Sequence, residues 1–185
     1  VTMIYFRSIK NKKELEPKKL VAKSSFGKNG AGLGGFNGMR DLVIKGDYLY
    51  VADPNNHRIQ VLKINPDGSL AAQSSFGKKG IELGEFGSIG TLVIKGDYLY
   101  VADPNNHRIQ VLKINPDGSL AAQSSFGKKG NELGNFAVLG EFMIIDNLVI
   151  KGDYLYVAEG EIHYPSFQVL KINPDGNLSA QSTFG

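Results

Sequence analysis

The sequence predicts an all-β fold built from repeated four-stranded antiparallel sheets. The first observation is a repeat: residues 42–80 and 92–130 are identical at an offset of 50, and 148–158 with 168–176 form a third, diverged copy. The second is that turn-forming clusters separate short runs rich in β-branched and aromatic residues. The third is that no segment keeps a helical apolar period beyond two turns. One structural unit is therefore used repeatedly.

Each copy contains four predicted strands. In the first copy they cover residues 42–44, 48–52, 58–64 and 70–75, separated by turn clusters at 45–47, 53–56 and 65–68. These clusters contain the Gly, Pro, Asn and Asp residues that tight turns require. Both faces of the strands carry apolar side chains, so each sheet must lie between two others. Such sheets at this period are typical of β-propeller blades.

The motifs of the copy also resemble a known repeat family. Val-Ala-Asp ends a strand at 51–53, Asn-His-Arg-Ile follows at 56–59, Asp-Gly forms a turn at 67–68, and Phe-Gly closes the copy at 76–77. This series resembles the NHL repeat, and it recurs 50 residues later. The resemblance implies a propeller of about six blades, in a family whose members bind proteins, bind RNA or act as lyases.

The predicted organisation is a single propeller domain that lacks a whole number of blades. Residues 1–41 form a half blade of two outer strands, at 2–10 and 20–25, followed by a linker. Blade 1 covers 42–91, blade 2 with an extended linker covers 92–147, and blade 3 covers 148–185. A closed ring needs at least four blades. We therefore expect an incomplete ring or a part of a larger propeller.

Composition excludes several classes of protein. With 42% hydrophobic and 21% charged residues, the chain is typical of a globular fold. No apolar run approaches the roughly 20 residues of a spanning helix, so no membrane span is expected. The absence of cysteine excludes disulfides, thiolate metal sites and a cysteine nucleophile. That absence, together with the missing initiator methionine, favours a secreted or cell-surface location.

Charge is distributed unevenly along the chain. Residues 1–41 carry nine Lys/Arg against three Asp/Glu, the two identical repeats are neutral, and residues 142–185 carry two Lys/Arg against five Asp/Glu. Oppositely charged ends favour head-to-tail association, as a ring or a filament. The expected partner is therefore another protein or a second copy of the chain. Paired lysines at 78–79 and 128–129 keep RNA binding as an alternative, although the neutral repeats make nucleic acid a poor partner.

Two groups of candidate residues follow from the repeats. Polar residues duplicated around the 53–58 turn are predicted to stabilise the blades, since a carboxylate can cap the turn and pair with the arginine. His and Asp there could instead hold a metal or perform acid–base chemistry. Identical blades, however, deliver the same group to every sector of a ring. The predicted blade-stabilising residues are Asp53, His57, Arg58, Asp103, His107 and Arg108.

The third copy breaks the duplication. Its 159–166 stretch replaces the Asp-Pro-Asn-Asn-His-Arg turn with a longer loop, and an apolar linker precedes the copy. Loops on a rigid scaffold are where binding residues concentrate, and exposed apolar patches mark interfaces. The predicted binding or interface residues are Glu159, Glu161, His163, Tyr164, Phe142 and Met143.

The function predicted from these features is a non-enzymatic, NHL-like propeller scaffold for protein–protein interaction and for head-to-tail self-assembly. No catalytic residue and no cofactor is assigned. The alternative is a propeller lyase or hydrolase with a metal ion on the ring axis, and a second alternative is an RNA-binding module. Unlike groups from different blades would favour the enzyme, since a catalytic centre needs unlike groups at one point.

Overall fold

Three four-stranded antiparallel sheets make up most of the protein. The computed structural model describes residues 22–130, 132–136, 145–159 and 166–184. The first sheet contains β3 (Leu42–Lys45), β4 (Tyr48–Asp53), β5 (Arg58–Ile64) and β6 (Leu70–Phe76). The second contains β7 (Leu92–Lys95), β8 (Tyr98–Asp103), β9 (Arg108–Ile114) and β10 (Leu120–Phe126). The third contains β11 (Ile145–Lys151), β12 (Tyr154–Glu159), β13 (Ser166–Ile172) and β14 (Leu178–Phe184).

Each sheet is a meander in which neighbouring strands are consecutive in sequence. Glycines with positive φ close its tight turns, for example Gly46 at 55° between β3 and β4 and Gly68 at 83° between β5 and β6. A side chain at such a φ would be strained, so glycine fixes these turns. The four strands predicted for each complete copy are confirmed, and each differs from its predicted bounds by at most one residue.

The sheets are arranged side by side around a common axis. The first strand of each sheet lies beside the first strand of the next, so that β3 neighbours β7 and β7 neighbours β11. Sheets whose first strands converge while their faces stack are the blades of a propeller. The all-β propeller architecture is thus confirmed, and the first strands are its inner strands.

The core lies between successive blades. Tyr50, Ile59 and Val61 of the first sheet pack against Leu92 and Leu99 of the second. The equivalent residues of the second sheet pack in the same way against the third. Linkers close these cores from the side: Phe86 is fully buried and meets Phe76 edge to face, with ring centroids 6.4 Å apart.

A tyrosine hydroxyl joins each blade to the next. The Tyr50 hydroxyl donates to the Gly118 carbonyl at 3.1 Å, and the Tyr100 hydroxyl donates to the Gly176 carbonyl at 2.9 Å. Burial raises the pKa of Tyr50 to about 12, so its hydroxyl remains a neutral donor at physiological pH. The two hydrogen bonds fix the spacing between neighbouring blades.

The head of the chain and the third blade differ from the prediction. Residues 22–27 form no strand, so the described part of the predicted outer strand at 20–25 is wrong. A short parallel pair, β1 (Lys28–Asn29) with β2 (Gly35–Phe36), lies instead in the linker. Strand β11 begins at Ile145, three residues before the predicted start. Within the described ranges, no helix has the length and apolar character needed to cross a membrane.

Candidate functional site

The duplicated aspartates are centres of buried hydrogen-bond networks. Asp103 is fully buried, and its carboxylate accepts from the backbone N–H of Gly87 at 3.0 Å and of Ser88 at 3.2 Å. The same carboxylate accepts from Asn106 Nδ2 and from Arg108 Nε, each at 2.9 Å. It thereby fixes the preceding linker to the blade. Asp53 makes the equivalent contacts in the first sheet, where Asn37 N donates at 2.7 Å and Arg58 Nε at 3.0 Å.

Arg108 extends this network into the linker. Its guanidinium donates to the carbonyls of Ile81 at 2.7 Å, Glu82 at 2.9 Å and Glu85 at 2.7 Å, while its Nε bonds Asp103. All of these acceptors belong to the chain itself. The contacts therefore stabilise the blade and its linker, and they leave these two residues little capacity for substrate chemistry.

His57 and His107 end the turn that follows the second strand. Both adopt left-handed backbone conformations, with φ of 52° and 55°. The Nδ1 atom of His57 lies 3.1 Å from the Phe86 carbonyl oxygen. These positions require a residue that tolerates positive φ, which histidine does better than most residues with a side chain.

Burial lowers the pKa of His107 from its usual 6.5, and Lys129 adds to the effect. The folded protein therefore binds fewer protons at this residue than the unfolded chain. We expect the free energy of unfolding to fall as pH drops below about 6.5, until the folded pKa is passed. Denaturant unfolding of wild type and of His107→Asn between pH 8 and 5 tests this, since asparagine tolerates the left-handed conformation without titrating. Equal pH dependence in the two proteins would contradict the prediction.

The third copy places one of its predicted residues in the sheet. Glu159 ends β12 at the position of Asp53 and Asp103, and it is buried, with 8% exposure. The remaining candidates of this group lie outside the described residues: Glu161, His163, Tyr164, Phe142 and Met143. Their role in binding or in an interface stays a prediction.

A different set of unlike polar residues converges at one end of the inner strands. Asp41 and Thr91 directly precede β3 and β7, and Asn147 occupies the equivalent position within β11. Their backbones pair with equivalent alanines: Ala52 N donates to the Asp41 carbonyl at 2.9 Å, Ala102 N donates to the Thr91 carbonyl at 3.1 Å, and Asn147 is the partner of Ala158. Each blade thus delivers a different side chain to the same axial position.

These residues line a pocket of about 550 Å³, which we call the axial pocket. Its wall contains Asp41, Thr91 and Asn147 together with Arg40, Met39, Gly38 and Pro54. The Asp41 carboxylate is held across two blades, since Oδ1 accepts from Leu42 N at 2.8 Å and Oδ2 accepts from Leu92 N at 2.7 Å. The volume is within the range of small-molecule sites.

Sequence reasoning missed the axial pocket because its residues lie just outside the identical blocks. The signal was present: the residue before the repeated leucine is Asp, Thr and Asn in the three copies, whereas the following residues barely change. Only the convergence of the inner strands shows that these three positions share one site. The axial pocket therefore supplies unlike residues of the kind that an enzyme would need.

The donors of the axial pocket fit a hard cation better than zinc. Within the described ranges, no three His, Asp or Glu side chains come together. The pocket offers instead a carboxylate, a hydroxyl and an amide, whose oxygen atoms are ligands that Ca²⁺ or Mg²⁺ accepts. The predicted axial metal therefore stays a proposal, with Asp41, Thr91 and Asn147 as the residues that would hold it.

Comparison with known repeat families supports a propeller-type repeat. The model of the LVIVD repeat matches residues 38–58, 87–108 and 144–162. Each match starts shortly before an inner strand and covers an axial position, at 41, 91 and 147. The match supports a propeller-type repeat, and the NHL resemblance stays a prediction. The search of curated proteins found no significant relative.

Several solved structures have a similar fold. A proposed 6-phosphogluconolactonase from Bacteroides uniformis is 16% identical with a TM-score of 0.61, over 78% of this chain and 40% of that one. A second proposed 6-phosphogluconolactonase, from Bacteroides fragilis, is 16% identical with a TM-score of 0.59, over 80% and 38%. The periplasmic gluconolactonase of Pseudomonas aeruginosa is 18% identical with a TM-score of 0.56, over 79% and 39%.

These neighbours overturn the expectation that the protein is not an enzyme. Three of them are named as lactonases, whereas the expectation was a non-enzymatic scaffold. At 16–18% identity the likeness itself shows the fold, and the chain spans about two fifths of the length of these structures. The chain is therefore a set of propeller blades with the architecture found in lactonases.

Proposed function

We propose that these blades belong to a hydrolase that opens the ring of a sugar lactone, and that the axial pocket is its site. The observation that carries the proposal is the convergence of three unlike polar residues, Asp41, Thr91 and Asn147, at the end of the inner strands. Catalysis needs unlike groups around one reacting atom, and these three positions differ in every copy. The names of the structural neighbours support the substrate class.

Lactone hydrolysis has three chemical steps. Water adds to the carbonyl carbon, the ring C–O bond breaks, and the proton released by the water reaches the ring oxygen as it becomes a hydroxyl. Asp41 would accept the proton of the attacking water, because it is the carboxylate of the pocket. The two backbone N–H groups that bind it hold its orientation, which favours one geometry of attack.

The other residues of the pocket would bind the substrate and stabilise the charge on the carbonyl oxygen. The Thr91 hydroxyl and the Asn147 amide can donate to sugar hydroxyls or to the developing oxyanion. Arg40, which is exposed at the rim, would pair with a phosphate on the sugar, since guanidinium groups bind phosphate in a bidentate manner. When bound to these oxygen atoms, a hard divalent cation supplies Lewis-acid polarisation of the lactone carbonyl.

Hydrolysis of glucono-1,5-lactone and of its 6-phosphate tests the proposal. We expect wild type to hydrolyse at least one of them faster than the buffer does, and Asp41→Asn to lower kcat/KM by about 10²- to 10⁴-fold. The matched control is Asp97→Asn, which changes an exposed carboxylate after the opposite end of an inner strand. It should keep wild-type activity.

Two results would contradict the proposal. One is a folded wild-type protein that hydrolyses neither lactone, with and without added Ca²⁺ or Mg²⁺. The other is an Asp41→Asn variant with wild-type kcat/KM. Arg40→Ala separates the two substrates, because loss of a phosphate contact should raise KM for the phosphorylated lactone only.

A further inference from the structure

The outer face of the third blade exposes residues that are buried in the other two blades. Tyr156 is 38% exposed, whereas its equivalents Tyr50 and Tyr100 are fully buried. Phe167 is 54% exposed, whereas the equivalent isoleucines, Ile59 and Ile109, are also fully buried. We call this surface the tail face, with Val149, Tyr154, Tyr156 and Phe167 as its members. In both earlier blades the same positions are covered by the next blade.

The opposite face of the first blade shows the complementary pattern. Leu42 is 57% exposed, but its equivalents Leu92 and Leu148 are 1% and 2% exposed. Met39 is 61% exposed, and the residue equivalent to it in the second copy, Ile89, is fully buried. We call Met39, Leu42 and Ile44 the head face. The second and third blades use this same surface to cover the tail side of the blade before them.

The polar contacts between blades also stop at these two faces. Lys45 pairs with Asp97, and Lys95 pairs with Asp153, each across one blade boundary. The next pair in this series would join Lys151 of the third blade to a residue equivalent to Asp47 on a following blade. In the same series, Gln73 Nε2 donates to the Asp117 carbonyl at 2.6 Å, and Gln123 Nε2 to the Asp175 carbonyl at 2.5 Å.

A steric detail shows that the faces match. A Cβ on Gly118 would lie 2.5 Å from the Tyr48 ring, and one on Gly176 would lie 2.6 Å from the Tyr98 ring. The equivalent glycine of the first blade, Gly68, has no atom within 4 Å of such a Cβ, and the equivalent ring, Tyr154, is 40% exposed. The first blade therefore has a glycine, Gly68, that no tyrosine ring covers, and the third blade has a tyrosine ring, Tyr154, that covers no glycine.

We propose that the head face of a second copy of this chain docks on the tail face, in the register that joins successive blades. Tyr156 would then donate to the Gly68 carbonyl of the second copy, and Lys151 would pair with its Asp47. The equivalent pair of surfaces meets twice within the chain.

Docking would also extend the axial pocket. Within the chain, the Asp41 carboxylate accepts from the N–H of the next inner strand, at Leu92. In the assembly, the head of the second copy would bring its own Asp41 beside Asn147, so that neighbouring copies share the wall of one pocket. The association does not depend on the hydrolase proposal, because it rests on contacts between blades.

Sedimentation velocity over a range of protein concentrations tests the docking with two blocked variants. Leu42→Asp places a charge on the head face, and Phe167→Asp places one on the tail face, each at an exposed position. Wild type should associate, and each variant alone should remain a monomer. An equimolar mixture should form a 1:1 dimer, because one variant keeps a free tail face and the other keeps a free head face.

The control is Ile81→Asp, which charges a 72% exposed apolar side chain in a linker and should leave association unchanged. A second test needs no change in an apolar residue. Lys151→Asp should raise the dissociation constant several-fold, and adding Asp47→Lys should lower it again. Wild type that stays monomeric at every concentration would overturn the proposal. So would a mixture of the two blocked variants that contains only monomers, with both variants folded by circular dichroism.

Discussion

Substitution of Asp103 by alanine is expected to lower the free energy of unfolding by about 3–5 kcal/mol. The reason is that the variant leaves the guanidinium of Arg108, which is 8% exposed, without its carboxylate. Removing one partner of a buried ion pair costs this much, because the remaining charge stays out of water. The backbone N–H groups of Gly87 and Ser88 lose their acceptor as well.

Urea unfolding followed by circular dichroism measures this effect. The control is Asp97→Ala, which removes an interblade ion pair whose aspartate is 69% exposed. Exposed pairs contribute about 0–1 kcal/mol, so the control should unfold near the wild-type midpoint. If Asp103→Ala and Asp97→Ala were equally stable, the network around Asp103 would not be what joins linker to blade.

Truncation of Leu92 to alanine is expected to lower the free energy of unfolding by about 2–5 kcal/mol, the usual cost of a cavity in a packed core. Leu92 is 1% exposed and lies in the core between the first and second blades. Its equivalent in the first blade, Leu42, is followed by the same residues in sequence but is 57% exposed. Leu42→Ala should therefore cost only about 0.5 kcal/mol in the isolated chain.

This comparison should be made by urea unfolding at a protein concentration where the chain is monomeric. Because both substitutions remove the same atoms from the same strand position, their difference reports burial alone. Equal losses in the two variants would mean that Leu42 is already covered within one chain. At higher concentration, a larger effect of Leu42→Ala would be expected from the proposed docking of a second copy.

The strands could be predicted because their determinants are local. Turn glycines such as Gly46 and Gly68 act over a few residues, and so do the β-branched and aromatic runs between them. The same turns and runs occur in two identical copies, which makes the pattern easy to recognise. The head is predicted less well: of the outer strand predicted at 20–25, the described part, 22–25, forms no strand. Strand formation needs a partner strand, and residues 22–27 form no ladder in the structure.

The candidate site could be predicted only in part. The duplicated Asp-Pro-Asn-Asn-His-Arg turn drew attention because it is polar and repeated, yet its side chains are occupied by the chain's own N–H and C=O groups. The axial pocket was missed because Asp41, Thr91 and Asn147 stand 50 and 56 residues apart and look like ordinary residues at strand starts. Nothing in their spacing encodes that inner strands converge.

By itself, then, the sequence determined the repeat, the four strands of each blade and the stacking of apolar faces. The reason is that the repeat period and the turn-forming residues are properties of short stretches of the sequence. Tertiary structure decided which of the equivalent positions come together. Radial packing brings one residue from each blade to the axis, so that three different side chains line one pocket. The same packing buries Leu92 and exposes Leu42, because burial depends on the neighbouring blade and not on the residue's own sequence.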